Sequence, residues 1–181
     1  LLMGVLLTFL VAGVIFPAPV SETFEPVSFR ILAVNDFHGQ LPLGKTLNSH
    51  PAGSGPVLAT YLKEATAAGG TARTILALPG DIVGASTPES GLLLDEPAMI
   101  FFNLFANPSC DFAAQSGNPA CNVVATLGNH EFDQGTGELM RKIYGGNGST
   151  TIPHLIDPYP GTRSTYVCAN VVWKSNSSLI L

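Results

Sequence analysis

Three short blocks of this sequence carry side chains that bind metal ions or move protons: Asp36-Phe37-His38, Gly80-Asp81 and Gly128-Asn129-His130-Glu131-Phe132-Asp133. Asp36 and His38, two apart on an extended backbone, point the same way and can grip one ion. Asp81 has two carboxylate oxygens and can bridge two ions. Asn129 offers a neutral amide oxygen to the second, which limits the negative charge of the site. Mixed carboxylate, imidazole and amide donors suit zinc, manganese, iron or cobalt better than calcium. Two such ions about 3.5–4 Å apart can orient a hydroxide and hold phosphoryl oxygens for in-line attack. His130 has a different task. Asp133, three residues on, can hold its imidazole, and a carboxylate partner favours the protonated ring. A cationic His130 stabilises phosphoryl charge and donates a proton to a leaving oxygen.

These residues need elements that bring them together, and the pattern supplies them. Val27 to Asn35 reads as a strand that turns apolar, as a buried strand does. Pro56 to Ala68 has Val57, Leu58, Tyr61, Leu62 and Ala65 at helical spacing, and Gly69-Gly70 stops it. Thr74 to Leu78 is a second strand. Asp95 to Phe105 is a second helix, with Asp95 as its cap and Pro97 in its first turn. Val123 to Leu127 is a third strand, Thr136 to Tyr144 a third helix, and Thr165 to Val172 a fourth strand with Cys168 buried inside it. The order β-α-β-α-β-α-β predicts an α/β fold, a largely parallel sheet with crossover helices. Ligands of such sheets bind beyond the carboxyl ends of the strands. The three blocks follow the first three strands, on that rim.

The 181 residues are 46% hydrophobic, enough for one domain with a core. Only 12% are charged, the formal net charge is −5, and the 8 Lys and Arg are scattered. Duplex nucleic acid is therefore not expected as a partner. A small phosphorylated substrate is allowed, because bound cations dominate the local field of an acidic protein. The uncharged run from Leu1 to Val20 reads as an export signal or a short N-terminal anchor, placed at residues 1–22. It would be the chain's only route to a membrane, and it favours an extracytoplasmic location: periplasmic, cell-surface or secreted. Cys110 and Cys121 bracket a Gly/Asn/Pro-rich loop. A disulfide there would contribute roughly 2–3 kcal/mol in the chain-entropy model.

Asn35-Asp36-Phe37-His38-Gly39, Gly80-Asp81, Gly128-Asn129-His130-Glu131-Phe132-Asp133 and Ala169-Asn170 resemble successive blocks of the calcineurin-like metallophosphoesterases. More narrowly they are similar to the 5′-nucleotidase and 2′,3′-cyclic phosphodiesterase branch. The resemblance runs from Val27 to the end of the chain. It implies the N-terminal half of a metallophosphoesterase α/β sandwich over residues 27–181, truncated at its C-terminal side. It implies that Asp36, His38 and Asp81 bind one divalent ion and that Asp81 and Asn129 bind another. It also implies a His130–Asp133 catalytic dyad and an exported hydrolase acting on nucleotides. The family continues with a further ligand histidine, a Gly-His-x-His block and a domain that stacks the base. His50 and His154 have neither motif around them and read as ordinary loop residues. Weak metal binding and little turnover are expected of this chain alone.

Two other readings compete. Gly39-Gln-Leu-Pro-Leu-Gly44-Lys45-Thr46 satisfies the phosphate-loop pattern of nucleoside triphosphatases. That mechanism needs a helix opening at Lys45, and the Pro- and Gly-rich run from Leu47 to Pro56 predicts none. The other is a non-catalytic surface binding module that keeps the fold; the retained acidic and histidine residues speak against it.

Overall fold

The computed structural model describes residues 25–110, 120–148 and 151–181. The candidate signal or anchor at residues 1–22 lies outside them. Among the described residues no helix is long and apolar enough to cross a membrane.

The elements in chain order are β1 (Arg30–Ala33), β2 (Thr46–Leu47), β3 (His50–Pro51), α1 (Gly55–Gly69), β4 (Thr74–Leu78), α2 (Pro88–Gly91), α3 (Glu96–Asn103), β5 (Val123–Ala125), α4 (Gly135–Tyr144) and β6 (Thr165–Tyr166). The main sheet has the order β1-β4-β5-β6, and every pair in it is parallel. Each strand is thus laid beside the last in one direction. Right-handed crossovers taken repeatedly in one direction put every connecting helix on the same face.

Packing follows from that. Leu76, Leu78, Val123 and Ala125 point to the helical side, where Leu62 of α1 and Met99, Phe101 and Phe102 of α3 cover them. Burying each large side chain there contributes about 1.5–3 kcal/mol. Leu139 and Ile143 of α4 pack with Tyr166 and Ile180 in a second cluster. On the other face Ile31 and Ile75, partners in register, are 59% and 37% exposed. The expectation that the first strand is buried is therefore corrected: β1 is an edge strand covered on one side.

Helix α1 begins with Pro56 in its first turn and ends where Gly70, at φ 79°, donates its N–H to the Ala67 carbonyl at 3.3 Å. Three further expectations are corrected. The fourth strand stops at Tyr166 instead of Val172, because its neighbour β5 ends at Ala125 and offers no longer ladder; after one more bond, from Val167 N–H to the Ala125 carbonyl at 2.8 Å, the chain leaves the sheet. Cys168 accordingly lies past the strand and is only half-buried. Asp95 does not cap α3; it sits at φ 62° and its carboxylate bonds elsewhere.

The run after Lys45 forms a two-stranded antiparallel hairpin, β2 with β3, and α1 opens only at Gly55. Lys45 Nζ donates to Gln40 Oε1 at 3.0 Å. The phosphate-loop reading needs a helix opening at Lys45, and a strand begins at Thr46 instead. Cys110 and Cys121 are joined by a disulfide with Cα atoms 4.6 Å apart; residues 111–119 between them lie outside the described residues.

Candidate metal centre

The loops that leave β1 and β4 continue side by side past the strands. Asp36 N–H donates to the Gly80 carbonyl at 3.2 Å, His38 N–H to Asp81 at 3.1 Å, and Gly39 N–H to Ile82 at 3.2 Å. The loop after β5 closes on the second of these, with His130 N–H donating to Asp81 Oδ1 at 2.9 Å. This approach is close enough to require glycine. A Cβ on Gly80, at φ 119°, would lie 2.6 Å from Gly128 N, and a Cβ on Gly128 would overlap Asp81 Oδ1.

Ligand atoms of Asp36, His38 and Asp81 all lie within 4.8 Å of one another. Donors about 2.1 Å from one shared ion are at most about 4.2 Å apart, so the three side chains would draw closer on holding one. The three residues reach this arrangement by a route that corrects the expected one. Asp36 and His38 are not extended as expected; their φ values are 52° and 46°, and that of Asp81 is 53°, all left-handed. Side chains with a Cβ adopt that region at a cost on the order of 1–3 kcal/mol each. The ladder between the loops holds them there.

Both histidines have their tautomer fixed by a partner on Nδ1. His38 donates Nδ1–H to the Gly84 carbonyl at 2.7 Å, which leaves Nε2 free to bind a cation, 4.0 Å from Asp36 Oδ1. His130 Nδ1 bonds Asp133 Oδ2 at 2.8 Å, which leaves Nε2 to carry an exchangeable proton. This hydrogen bond to the Asp133 carboxylate is the main reason the His130 pKa is raised above 6.5, with desolvation opposing it. The two rings meet edge to face with centroids 4.9 Å apart. Asn129 is exposed at the start of the same turn.

Behind these residues lies a layer that sequence reasoning missed. Gly84 N–H donates to Asp95 Oδ2 at 3.1 Å, and Ser90 Oγ donates to Asp95 Oδ1 at 3.0 Å. Lys142 Nζ is 3.9 Å from Asp95, both side chains being buried; burial pushes the lysine pKa down and Asp95 opposes it. The residue whose carbonyl orients His38 is thus held at its own N–H. Glu131 is buried and takes backbone N–H groups from two of the loops. Farther off, His154 is more than a loop residue: its Nδ1 bonds Glu96 Oε1 at 2.6 Å, and Arg141 Nη1 donates to the same oxygen at 2.8 Å. No pattern in the sequence marks Asp95, Glu96 or Glu131 as interior, since each depends on donors from distant segments.

No protein-family model matches the chain. Over 166 residues it is 34% identical to a protein named endonuclease YhcR from Bacillus subtilis, an alignment covering 87% of this chain and 12% of that protein. Over 165 residues it is 35% identical to cell wall protein Lmo0130 from Listeria monocytogenes, covering 86% of this chain and 19% of the other. Over 164 residues it is 32% identical to an uncharacterized protein of the pqq-V 5′ region of Acinetobacter calcoaceticus, covering 82% of this chain and 72% of that one. The chain therefore spans less than a fifth of the first two relatives. With one relative named an endonuclease, the expected exclusion of duplex nucleic acid finds no support in these comparisons.

Proposed function

The chain belongs to the same family as the Acinetobacter protein, and from its site we propose that it is the metal-bearing part of a hydrolase of nucleotide phosphoesters, of the 5′-nucleotidase type of metallophosphoesterase. The observation that carries this reading is the convergence of Asp36, His38 and Asp81 within 4.8 Å, beside the bonded His130–Asp133 pair. In this reading Asp36, His38 and Asp81 hold one divalent ion, and Asp81 with Asn129 holds a second; zinc, manganese, iron and cobalt suit the donors. Divalent ions bound there would supply Lewis-acid charge for the phosphoryl oxygens and lower the pKa of an attacking water.

The chain's own residues do the rest. Gly84 keeps His38 in the tautomer whose Nε2 faces the ligands. Asp133 favours the protonated His130 ring, in which Nε2–H can neutralise a phosphoryl oxygen and then protonate the leaving alkoxide. Residues 27–181 are read as belonging to the metallophosphoesterase domain, and residues 1–22 as a signal or anchor. The relative named a cell wall protein supports an extracytoplasmic location.

A nucleotide is the first substrate class in this reading. The relative named an endonuclease favours a second, the phosphodiester of a nucleic acid. The full-length protein, assayed with manganese on a 5′-nucleotide, a 2′,3′-cyclic nucleotide and single- and double-stranded DNA, separates the two. Asp81→Ala should abolish both metal retention and turnover. His130→Ala should keep the metal and slow turnover by about 10²–10⁴-fold. Unchanged activity in either variant removes that residue from the assignment.

A further inference from the structure

Glu131 is 1% exposed, and its carboxylate spans the two loops on which the proposed site depends. Oε2 accepts the Asp81 N–H at 2.9 Å and the Gly128 N–H at 2.6 Å, while Oε1 accepts the Ile82 N–H at 2.9 Å. Two of these donors belong to the loop after β4 and one to the loop after β5. They lie beyond the ends of their strands, where the ladder no longer satisfies them. One side chain therefore accepts from three backbone groups, one of them at the buried Ile82 and two at the half-buried Asp81 and Gly128.

Stability alone does not explain a carboxylate here. Among the described residues no ion pair involves Glu131. Taking an ionised carboxylate out of water costs several kcal/mol, and backbone donors offset only part of that. What the charge does gain is position. It lies behind Asp81, whose amide it holds, and adds a fixed negative potential beside the carboxylates of Asp36 and Asp81.

We propose that Glu131 is the positioning residue of the metal centre, clamping the Asp81 and Asn129 loops at a fixed separation so that the ion-binding geometry exists before the ions arrive. This rests on the reading of Asp36, His38, Asp81 and Asn129 as metal ligands. Asp81 gains a held main chain through Glu131 and a held side chain through His130 N–H, so a ligand shared by two ions is fixed at both ends. Asn129 directly follows one of the clamped amides.

Glu131→Gln keeps the shape and removes both the charge and part of the clamp. An amide oxygen can take over the two donors of Oε2, but its NH2 group then faces the Ile82 N–H, donor against donor. Turning the amide over leaves two donors opposed instead of one. Partners behind metal ligands typically contribute 10–100-fold in affinity, so that is the expected loss.

The experiment is calorimetric titration of Mn²⁺ into metal-stripped full-length protein, for wild type, Glu131→Gln and Glu96→Gln. Glu96 is equally buried but binds Arg141 and His154 instead of a ligand loop, so its variant reports the effect of lost stability alone. The proposal expects a 10–100-fold weaker Mn²⁺ constant for Glu131→Gln and an unchanged one for Glu96→Gln. Equal constants for wild type and Glu131→Gln, or equal losses in both variants, overturn it. Absence of stoichiometric binding by wild type overturns the ligand reading beneath it, a result distinct from either. If Glu131→Gln does not fold, hydrogen exchange on the wild type decides: slow exchange at Asp81, Ile82 and Gly128 supports the clamp, and unprotected amides there overturn it.

Discussion

Gly80→Ala puts a methyl group where the loops after β4 and β5 touch. The new Cβ would stand 2.6 Å from Gly128 N and 2.8 Å from Gly128 Cα, both main-chain atoms that no rotamer change can move. Ordinary contact begins near 3.4 Å, so one loop must retreat by about 0.8 Å. The backbone adds a second penalty, because φ at Gly80 is 119°, a region costing a residue with a side chain about 1–3 kcal/mol. Together these predict a loss of about 2–6 kcal/mol in unfolding free energy. The retreat also stretches the 2.9 Å contact between His130 N–H and Asp81 Oδ1, and a misplacement near 1 Å costs about 100-fold in turnover. Gly137→Ala is the matched control. It lies in α4 with nothing within 4 Å of its Cβ and should stabilise by about 0.5–1 kcal/mol. Urea unfolding of the two variants beside wild type reads the difference. If Gly80→Ala lies within 0.5 kcal/mol of wild type, the close passage of the loops is wrong.

Two further outcomes follow from the same contacts. In metal-free protein the His130 imidazole should titrate above 6.5, and Asp133→Asn, which removes the main cause, should lower it. The sign is that of a raised group: the His130–Asp133 pair stabilises the fold fully below pH 6.5 and stops doing so as pH rises through the raised value. A proton NMR titration showing the same pKa in both proteins would count against the dyad. Glu96→Ala should cost about 1–3 kcal/mol, because it removes one of the two carboxylate partners of Arg141, Glu138 remaining, and takes the acceptor from His154 Nδ1 and the Leu155 N–H. Thermal unfolding within a degree or two of wild type would show that this cluster is not load-sharing.

Much of the scaffold was legible because it rests on local chemistry. The apolar run Thr74–Leu78 is the strand it reads as, and α1 stops at the Gly69-Gly70 pair that signals its end. The rim position of Asp36, Asp81 and Asn129 follows from the parallel sheet alone. What the sequence hid depends on contacts between segments far apart. The left-handed backbone of Asp36, His38 and Asp81 exists because each loop is laced to its neighbour, and no single segment encodes that. Asp95 reads as a helix cap because it precedes Glu96-Pro97, yet a free Gly84 N–H and the Ser90 hydroxyl draw its carboxylate inward. Glu131 sits inside a polar block with no apolar periodicity, so its burial shows only once the Asp81 and Ile82 amides are in place. The sequence overstates β6 because Tyr166 to Val172 is strand-like in composition, whereas strand length is set by the partner.

The most direct measurement is anomalous diffraction at the manganese edge from crystals of the full-length protein grown with Mn²⁺. The account predicts a peak about 2.1 Å from a carboxylate oxygen of Asp36, from His38 Nε2 and from a carboxylate oxygen of Asp81. A protein that binds Mn²⁺ only elsewhere, or shows no peak at these three side chains, would contradict it.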